Sequence, residues 1–307
     1  MVAHVAAHGP FSEATWHLWS NRPVLRLVLL LAPVALLAQS VWASPQTLTG
    51  NARTVLAAVV DTQGQPVVDV ALDDFVVTEG ASGRDVIDVH VADYPLAIVL
   101  DDRAAVASSI PAVRAAARRF IQRVGERPVA LVRMTDEHAP LTTLEDDRAT
   151  VLTRLDQFST AGTGTSGTLD TIARAAALLA ESGAPFSAVV VIAAGPVDAS
   201  APVRGELLPQ VIESGAAVHV VQAQAAETES AAVRDESDLL RVIADQSRGQ
   251  FTAIFSTASF TAALDRLADR LAIEMMVQYL APAGPRVGDV RVGVRKPGAR
   301  VIGLGVK

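Results

Sequence analysis

The chain has 307 residues, half of them hydrophobic, 19% charged and only 4% aromatic, with a formal net charge of −7. No basic stripe is present for a nucleic acid to follow, and without cysteine there is no disulfide, thiolate nucleophile or thiolate-bound metal. The length suffices for one sizeable aliphatic core with a smaller module beside it.

The first elements lie in a segment that reads as an export device. Leu27–Ala38 is an apolar stretch behind Arg22 and Arg26, and Val41-Trp42-Ala43 sets small residues before a cut after Ala43. That is the pattern of a secretory signal. Residues 24–43 taken together approach the ~20 apolar residues of a membrane span, so residues 1–43 are expected to be a signal peptide or a membrane anchor. The mature protein is then exported, periplasmic or extracellular, and meets the membrane only through residues 24–43 if these are not removed.

Residues 50–94 read as a β preface. Thr54–Val60, Val67–Val70, Leu72–Thr78 and Val86–Val91 are short strand patterns, several of them alternating, broken by Asp61–Gln65 and Glu79–Gly83, as in a small antiparallel module. From Pro95 the pattern changes. Leu96–Leu100 is an uninterrupted apolar run, the signature of a strand buried on both faces. Ser108 and Ser109 are N-cap candidates before Pro111, and Ile110, Val113, Ala117, Phe120, Ile121 and Val124 recur at helical spacing with Arg114, Arg118, Arg119 and Arg123 turned outward. Val129–Met134, Ala188–Ala193, Ala217–Ala223 and Phe251–Phe255 are further strands. Between them lie helix patterns over Arg148–Phe158, Thr168–Glu181, Gly205–Ser214, Asp238–Arg248 (capped by Ser237) and Ser259–Ile273. Gln224–Arg234 reads as a polar loop. Met276–Leu280 closes the sheet domain, residues 95–283, and residues 284–307 hold two more strands that are expected to pack with the preface. The fold class is α/β: a doubly wound, mainly parallel sheet with a small antiparallel β module from the preface and the C-terminal strands.

Asp101 and Asp102 end the first central strand, at the edge where open α/β sheets bind ligands. Other chemistry is sparse. Gly162–Gly167 matches G-x-G-x-x-G and opens a helix, but the fingerprint must directly follow a strand, and here a helix pattern precedes it; a nucleotide-binding enzyme is the remote alternative. His90, His138 and His219 stand alone, each read as a surface or satisfied strand residue. No nucleophile elbow follows a strand. No enzyme is expected.

Taken together, TVLAAVVDTQGQPVVDVALDDFVVTEG (54–80), PLAIVLDD (95–102), RPVALVRMTDE (127–137), SGTLDTIARAAALL (166–179), AVVVIAAGPVD (188–198), LLRVIADQSRGQF (239–251) and EMMVQYLAP (274–282) resemble, in order and spacing, the bacterial von Willebrand factor A-related proteins. The resemblance covers nearly all of residues 54–307. It implies a Rossmann-like sheet and a metal-ion-dependent adhesion site: an Asp-x-Ser-x-Ser motif, a later threonine and a Thr-Asp-Gly, whose oxygens hold a divalent cation such as Mg²⁺ that recruits a partner's carboxylate. Carried over position by position, the first aspartate is Asp101 and the threonine is Thr168. The two serines fall on Arg103 and Ala105, and the Thr-Asp-Gly on Ala193-Ala194-Gly195, which has no carboxylate. The resemblance therefore implies a degenerate cation site, with the Arg103 guanidinium paired to Asp101.

The expected interaction face is Asp101, Asp102, Arg103, Thr168 and Asp198. No cofactor and no resident metal are expected; a weak Mg²⁺ site through Asp101 and Thr168, with Asp102 or Asp198 as substitute oxygens, is left open. The leading reading is a metal-independent protein-interaction or structural domain with a protein partner. The alternative is a divalent-cation-dependent adhesion domain using Asp101, Asp102 and Thr168.

Overall fold

The computed structural model of the chain describes residues 51–135, 140–160, 167–195, 204–224, 231–285 and 288–306. Residues 1–43, His138, Asp198 and Gly162–Ser166 lie outside them. The described chain enters on a long strand, β1 (Asn51–Asp61), followed by β2 (Phe75–Glu79), β3 (Ser82–Arg84) and β4 (Val86–Val91). The turns after β1 and β2 place Gly64 and Gly80 at φ 81° and 61°, backbone that a side chain would disfavour. Strand and helix then alternate: β5 (Leu96–Leu100), α1 (Ile110–Arg123), β6 (Val129–Arg133), α2 (Arg148–Asp156), α3 (Thr168–Glu181), β7 (Ala188–Ala193), α4 (Arg204–Ser214), β8 (Ala217–Ala223), α5 (Ala231–Gln246), β9 (Gln250–Ile254) and α6 (Phe260–Ala272). Three strands finish the chain: β10 (Glu274–Ala281), β11 (Val290–Val294) and β12 (Ala299–Val306).

β5 to β9 form one parallel sheet in the order β6-β5-β7-β8-β9. The strand order reverses between β5 and β7, so the C-terminal ends of these two strands flank the topological switch point. Every residue of β5 is fully buried, and the two-residue period of a strand divides it between two cores. Leu96, Ile98 and Leu100 face Val113, Ala117 and Phe120 of α1 and Phe260, Leu264 and Leu267 of α6. Ala97 and Val99 face Ile172 and Leu179 of α3, with Val211 of α4 and Leu240 of α5 in the same cluster. The doubly wound α/β architecture expected from the sequence is thus present.

The remaining strands make a sandwich of two antiparallel sheets, β12-β1-β10-β4 and β11-β2-β3. Val55, Val59, Phe75, Val77, Val277 and Tyr279 fill it. The preface and the C-terminal strands share both sheets. β10, read from the sequence as the close of the sheet domain, instead lies between β1 and β4, in register from Asn51↔Ala281 to Ala58↔Glu274. Its Val277, Tyr279 and Ala281 point into the sandwich while Met276 joins the α/β core, a two-sided pattern suited to an antiparallel strand covered on both faces.

Two local expectations change. α5 begins at Ala231, so Ser237 is inside the helix and part of the expected polar loop is helical; Ala231, Ala232, Arg234 and Glu236 favour a helix. Ser109 occupies the N-cap position of α1 but makes no side-chain cap bond. The α1 arginines face outward as expected and make surface pairs there, Arg118 with Asp156, Arg119 with Asp265 at 2.8 Å and Arg123 with Asp269, linking α1 to α2 and α6. Among the described residues no helix is long and apolar enough to cross a membrane.

Where the sandwich meets the parallel sheet, the Tyr94 hydroxyl donates to Glu274 Oε2 at 2.5 Å, and Arg127 lies 4.5 Å over the Tyr94 ring with Nη2 3.9 Å from the same carboxylate. All three are buried. Tyr94→Phe removes the only short donor to that carboxylate among these groups and is expected to cost about 2 kcal/mol, read as a lower urea midpoint with an unchanged slope.

Candidate functional site

The site begins with the backbone. Beyond Leu100 the ladder continues on both sides, since Asp101 N donates to Ile192 O at 3.1 Å and Met134 N to Leu100 O at 3.0 Å. Asp101 and Asp102 are therefore fixed at the switch point, and both are fully buried. Buried carboxylates need donors, and consecutive residues find them on opposite neighbours.

Asp101 turns toward β7 and toward its own chain. Its Oδ1 accepts from Arg103 Nε at 2.8 Å and from Arg103 N at 3.3 Å. Its Oδ2 accepts from Arg103 Nη2 at 2.6 Å and from Ala194 N at 2.9 Å. Four donors occupy the roughly four acceptor positions of a carboxylate, and the side-on fork of the guanidinium supplies two of them with its charge. The Arg103 side chain is 21% exposed, so the pair sits at the surface of the switch-point edge with the acid inside and the base outside.

Asp102 turns toward β6. Its Oδ1 accepts from Thr135 N and its Oδ2 from Arg133 Nη1, both at 3.0 Å. Arg133 also donates to Ser159 O at 3.0 Å and stands 5.4 Å from the Phe158 ring centroid. Asp102 is thus part of the clamp between β5, β6 and the segment after α2. Each of its two oxygens accepts one bond from the β6 side.

Thr168 is the first residue of α3 and is 2% exposed. Among the described residues it makes no side-chain hydrogen bond to either aspartate. One turn on, Thr171 Oγ1 donates to Met134 O at 3.0 Å and accepts from Arg174 Nη2 at 3.0 Å, which seats α3 against the end of β6. The structure brings together Asp101, Arg103 and the Ala194 amide, places Asp102 in a neighbouring pair, and leaves Asp198 outside the described residues.

Two contributors escaped the sequence reading. Arg133 was legible in principle: it ends VALVR, in register with Leu100, one position from the aspartates. The Ala194 amide was not, because a main-chain donor has no side-chain signature. Sequence reading also misjudged His219. It is buried on β8 at 3% exposure, and among the described residues its Nδ1 has no hydrogen-bond partner. Burial, with the charge of Arg270, holds its pKa down to about 3. Among the described residues no three His, Asp or Glu side chains cluster as a metal-binding group.

No protein-family model and no curated protein sequence matches the chain. Solved structures do. A von Willebrand factor type A protein from Catenulispora acidiphila is 12% identical, with a TM-score of 0.48, covering 84% of this chain and 73% of that one. Proximal thread matrix protein 1 from the mussel byssus, with a zinc-occupied metal-ion-dependent adhesion motif, is 13% identical with a TM-score of 0.47, covering 66% of this chain. The matched region spans half the length of the mussel protein. The pilus adhesin SpaC from Lactobacillus rhamnosus GG is 8% identical with a TM-score of 0.44, covering 80% of this chain and 48% of that one.

Proposed function

We propose that the chain is a von Willebrand factor A-like interaction or structural domain, exported and without catalytic activity, in which the Arg103 guanidinium supplies the positive charge that a divalent cation would otherwise bring to Asp101. The observation that carries this reading is the fork of Arg103 on both Asp101 oxygens, at 2.8 and 2.6 Å.

The donor set fits a guanidinium better than a cation. Both Asp101 oxygens already accept from Arg103 and a third bond comes from the Ala194 amide. The positions that the resemblance assigns to two serines and a second aspartate are Arg103, Ala105 and Ala194. An ion entering here would displace the fork and then face it: a dication about 4 Å from a guanidinium is repelled by about 8 kcal/mol at an effective dielectric of about 20. A protein partner reaching this edge would meet a fixed ion pair rather than an open coordination position. The segment that would export or anchor the chain, residues 1–43, lies outside the described residues.

The reading is tested by titrating the full chain with Mg²⁺ or Mn²⁺ to millimolar levels while following thermal unfolding. The melting temperature is expected to move by less than about 1 °C, whereas a site filled 100-fold above its dissociation constant would add about 2.7 kcal/mol. A rise of several degrees at millimolar metal would overturn it in favour of a cation-dependent adhesion domain. Restoring oxygens with Arg103→Ser and Ala194→Asp together is expected to create a metal-dependent rise.

A further inference from the structure

At the opposite end of the parallel strands from Asp101, near the start of β8, a small, partly open cavity lies where β1, β8 and α6 converge. Its volume is about 20 Å³, and its wall includes Ser187, His219, Arg248, Arg270 and Glu274. That is room for about one water, or for a halide little larger than one, and for no organic ligand.

We propose that this cavity is a binding site for a chloride-sized monovalent anion, held by Arg248 and Arg270 with hydrogen bonds from His219 and Ser187. The first ground is the orphaned imidazole. His219 is 3% exposed, lines the cavity, and its Nδ1 has no hydrogen-bond partner among the described residues; buried polar atoms in folded proteins are rarely left so. The second ground is charge. Arg270, Glu274 and the exposed Arg248 border the space, and the Glu274 carboxylate already accepts from Tyr94 and lies 3.9 Å from a further cation, Arg127. With the exposed Arg248 set aside, Arg270 and the buried Arg127 face the single carboxylate of Glu274, which leaves one positive charge in excess around this space. The imidazole itself adds none: burial and the Arg270 charge hold its pKa at about 3, so at neutral pH it offers one N–H to an acceptor.

The Arg270 guanidinium and the Arg248 backbone are held in place. Arg270 Nη1 donates to Gln250 Oε1 at 3.0 Å. Arg248 has a left-handed backbone, φ 67°, and is followed by Gly249, where a Cβ would fall 1.8 Å from Val218 O; this close approach fixes the chain carrying Arg248 against the start of β8. His219 also borders a second cavity of about 90 Å³, with Arg266, Gln250 and Thr252 in its wall. Only the first cavity combines the imidazole with two arginines, and the second serves as its control. The site is independent of the Asp101 edge, and its failure would leave the proposed function standing.

The test is thermal unfolding of the full chain at constant ionic strength in sodium chloride, sodium bromide or sodium gluconate, whose anion is too large to enter. Chloride and bromide are expected to raise the melting temperature saturably by about 3 °C or more over gluconate. Arg270→Gln is expected to abolish the difference and Arg266→Gln to keep it. A crystal grown with bromide should show an anomalous peak within hydrogen-bonding distance of His219, a readout that does not depend on any variant folding. Equal melting temperatures in all three salts, a response lost in Arg266→Gln but kept in Arg270→Gln, or a bromide-grown crystal with no anomalous peak in this cavity would each overturn the proposal.

Discussion

Replacing Arg103 with methionine is expected to lower the unfolding free energy by about 3 kcal/mol, the low end of the range for stripping one partner from a buried ion pair. Asp101 is fully buried and sits on a ladder position fixed from both sides, so it cannot turn out to water when the guanidinium goes. Methionine keeps most of the arginine stem and leaves the carboxylate only the amides of Ala194 and residue 103. The expected drop in melting temperature is about 5 °C for a chain of this size. Arg103→Met combined with Asp101→Asn, which removes the stranded charge, should recover most of the loss, because the penalty lies in the unpaired charge rather than in the missing contact. Arg119→Met provides the scale: its pair with Asp265 is largely exposed, and such pairs are worth about 0–1 kcal/mol. Equal losses for Arg103→Met and Arg119→Met would show that Asp101 does not depend on the fork.

The protein is also expected to weaken as pH falls from 7 to 5, through His219. Its folded-state pKa, about 3, lies below the 6.5 of a free imidazole. A base whose folded pKa is depressed contributes stability above its unfolded pKa and loses it as pH falls toward the folded one. The loss from this one group is about 2 kcal/mol at pH 5 and about 3 kcal/mol at pH 4. Other groups leave this window readable. Burial pushes the Glu274 carboxyl up, so that residue gains stability on acidification and opposes the trend. Asp147 and Asp265 are held below the usual carboxylate range by the Thr150 amide and by Arg119 respectively, so their contributions are lost at lower pH still. Tyr94 is raised by burial and the Glu274 charge, which concerns alkaline solution only. His219→Leu should therefore remove the downward slope between pH 7 and 5, measured by urea unfolding at each pH. An unchanged slope in that variant would place the acid sensitivity elsewhere.

The fold was legible where burial writes a simple pattern. LAIVL and AVVVIA are apolar without interruption because both faces are covered, and both are central strands of the parallel sheet. Helix stripes such as Phe260, Leu264, Leu267 and Leu271 point into one core. The destination of a strand was harder to read. EMMVQYLA could close either sheet by its residues alone, and what decides is pairing with β1, more than 200 residues away. At the site, the Asp101–Arg103 pairing was what the resemblance implied, since Arg103 stands where the motif would have a serine. The Ala194 amide, and the turning of Asp102 to Arg133 and Thr135, depend on how adjacent strand ends line up in space. His219 was misread because AVHVVQA places it on a strand without saying which face is sealed or what would meet its ring.

The central claim is that a guanidinium holds the place of an ion at Asp101. A crystal structure of the full chain grown in manganese chloride, with anomalous data, addresses it most directly. The account predicts no manganese peak at Asp101, and Arg103 Nε and Nη2 still within hydrogen-bonding distance of its two oxygens. A manganese ion bonded to Asp101, with Arg103 swung away, would contradict it.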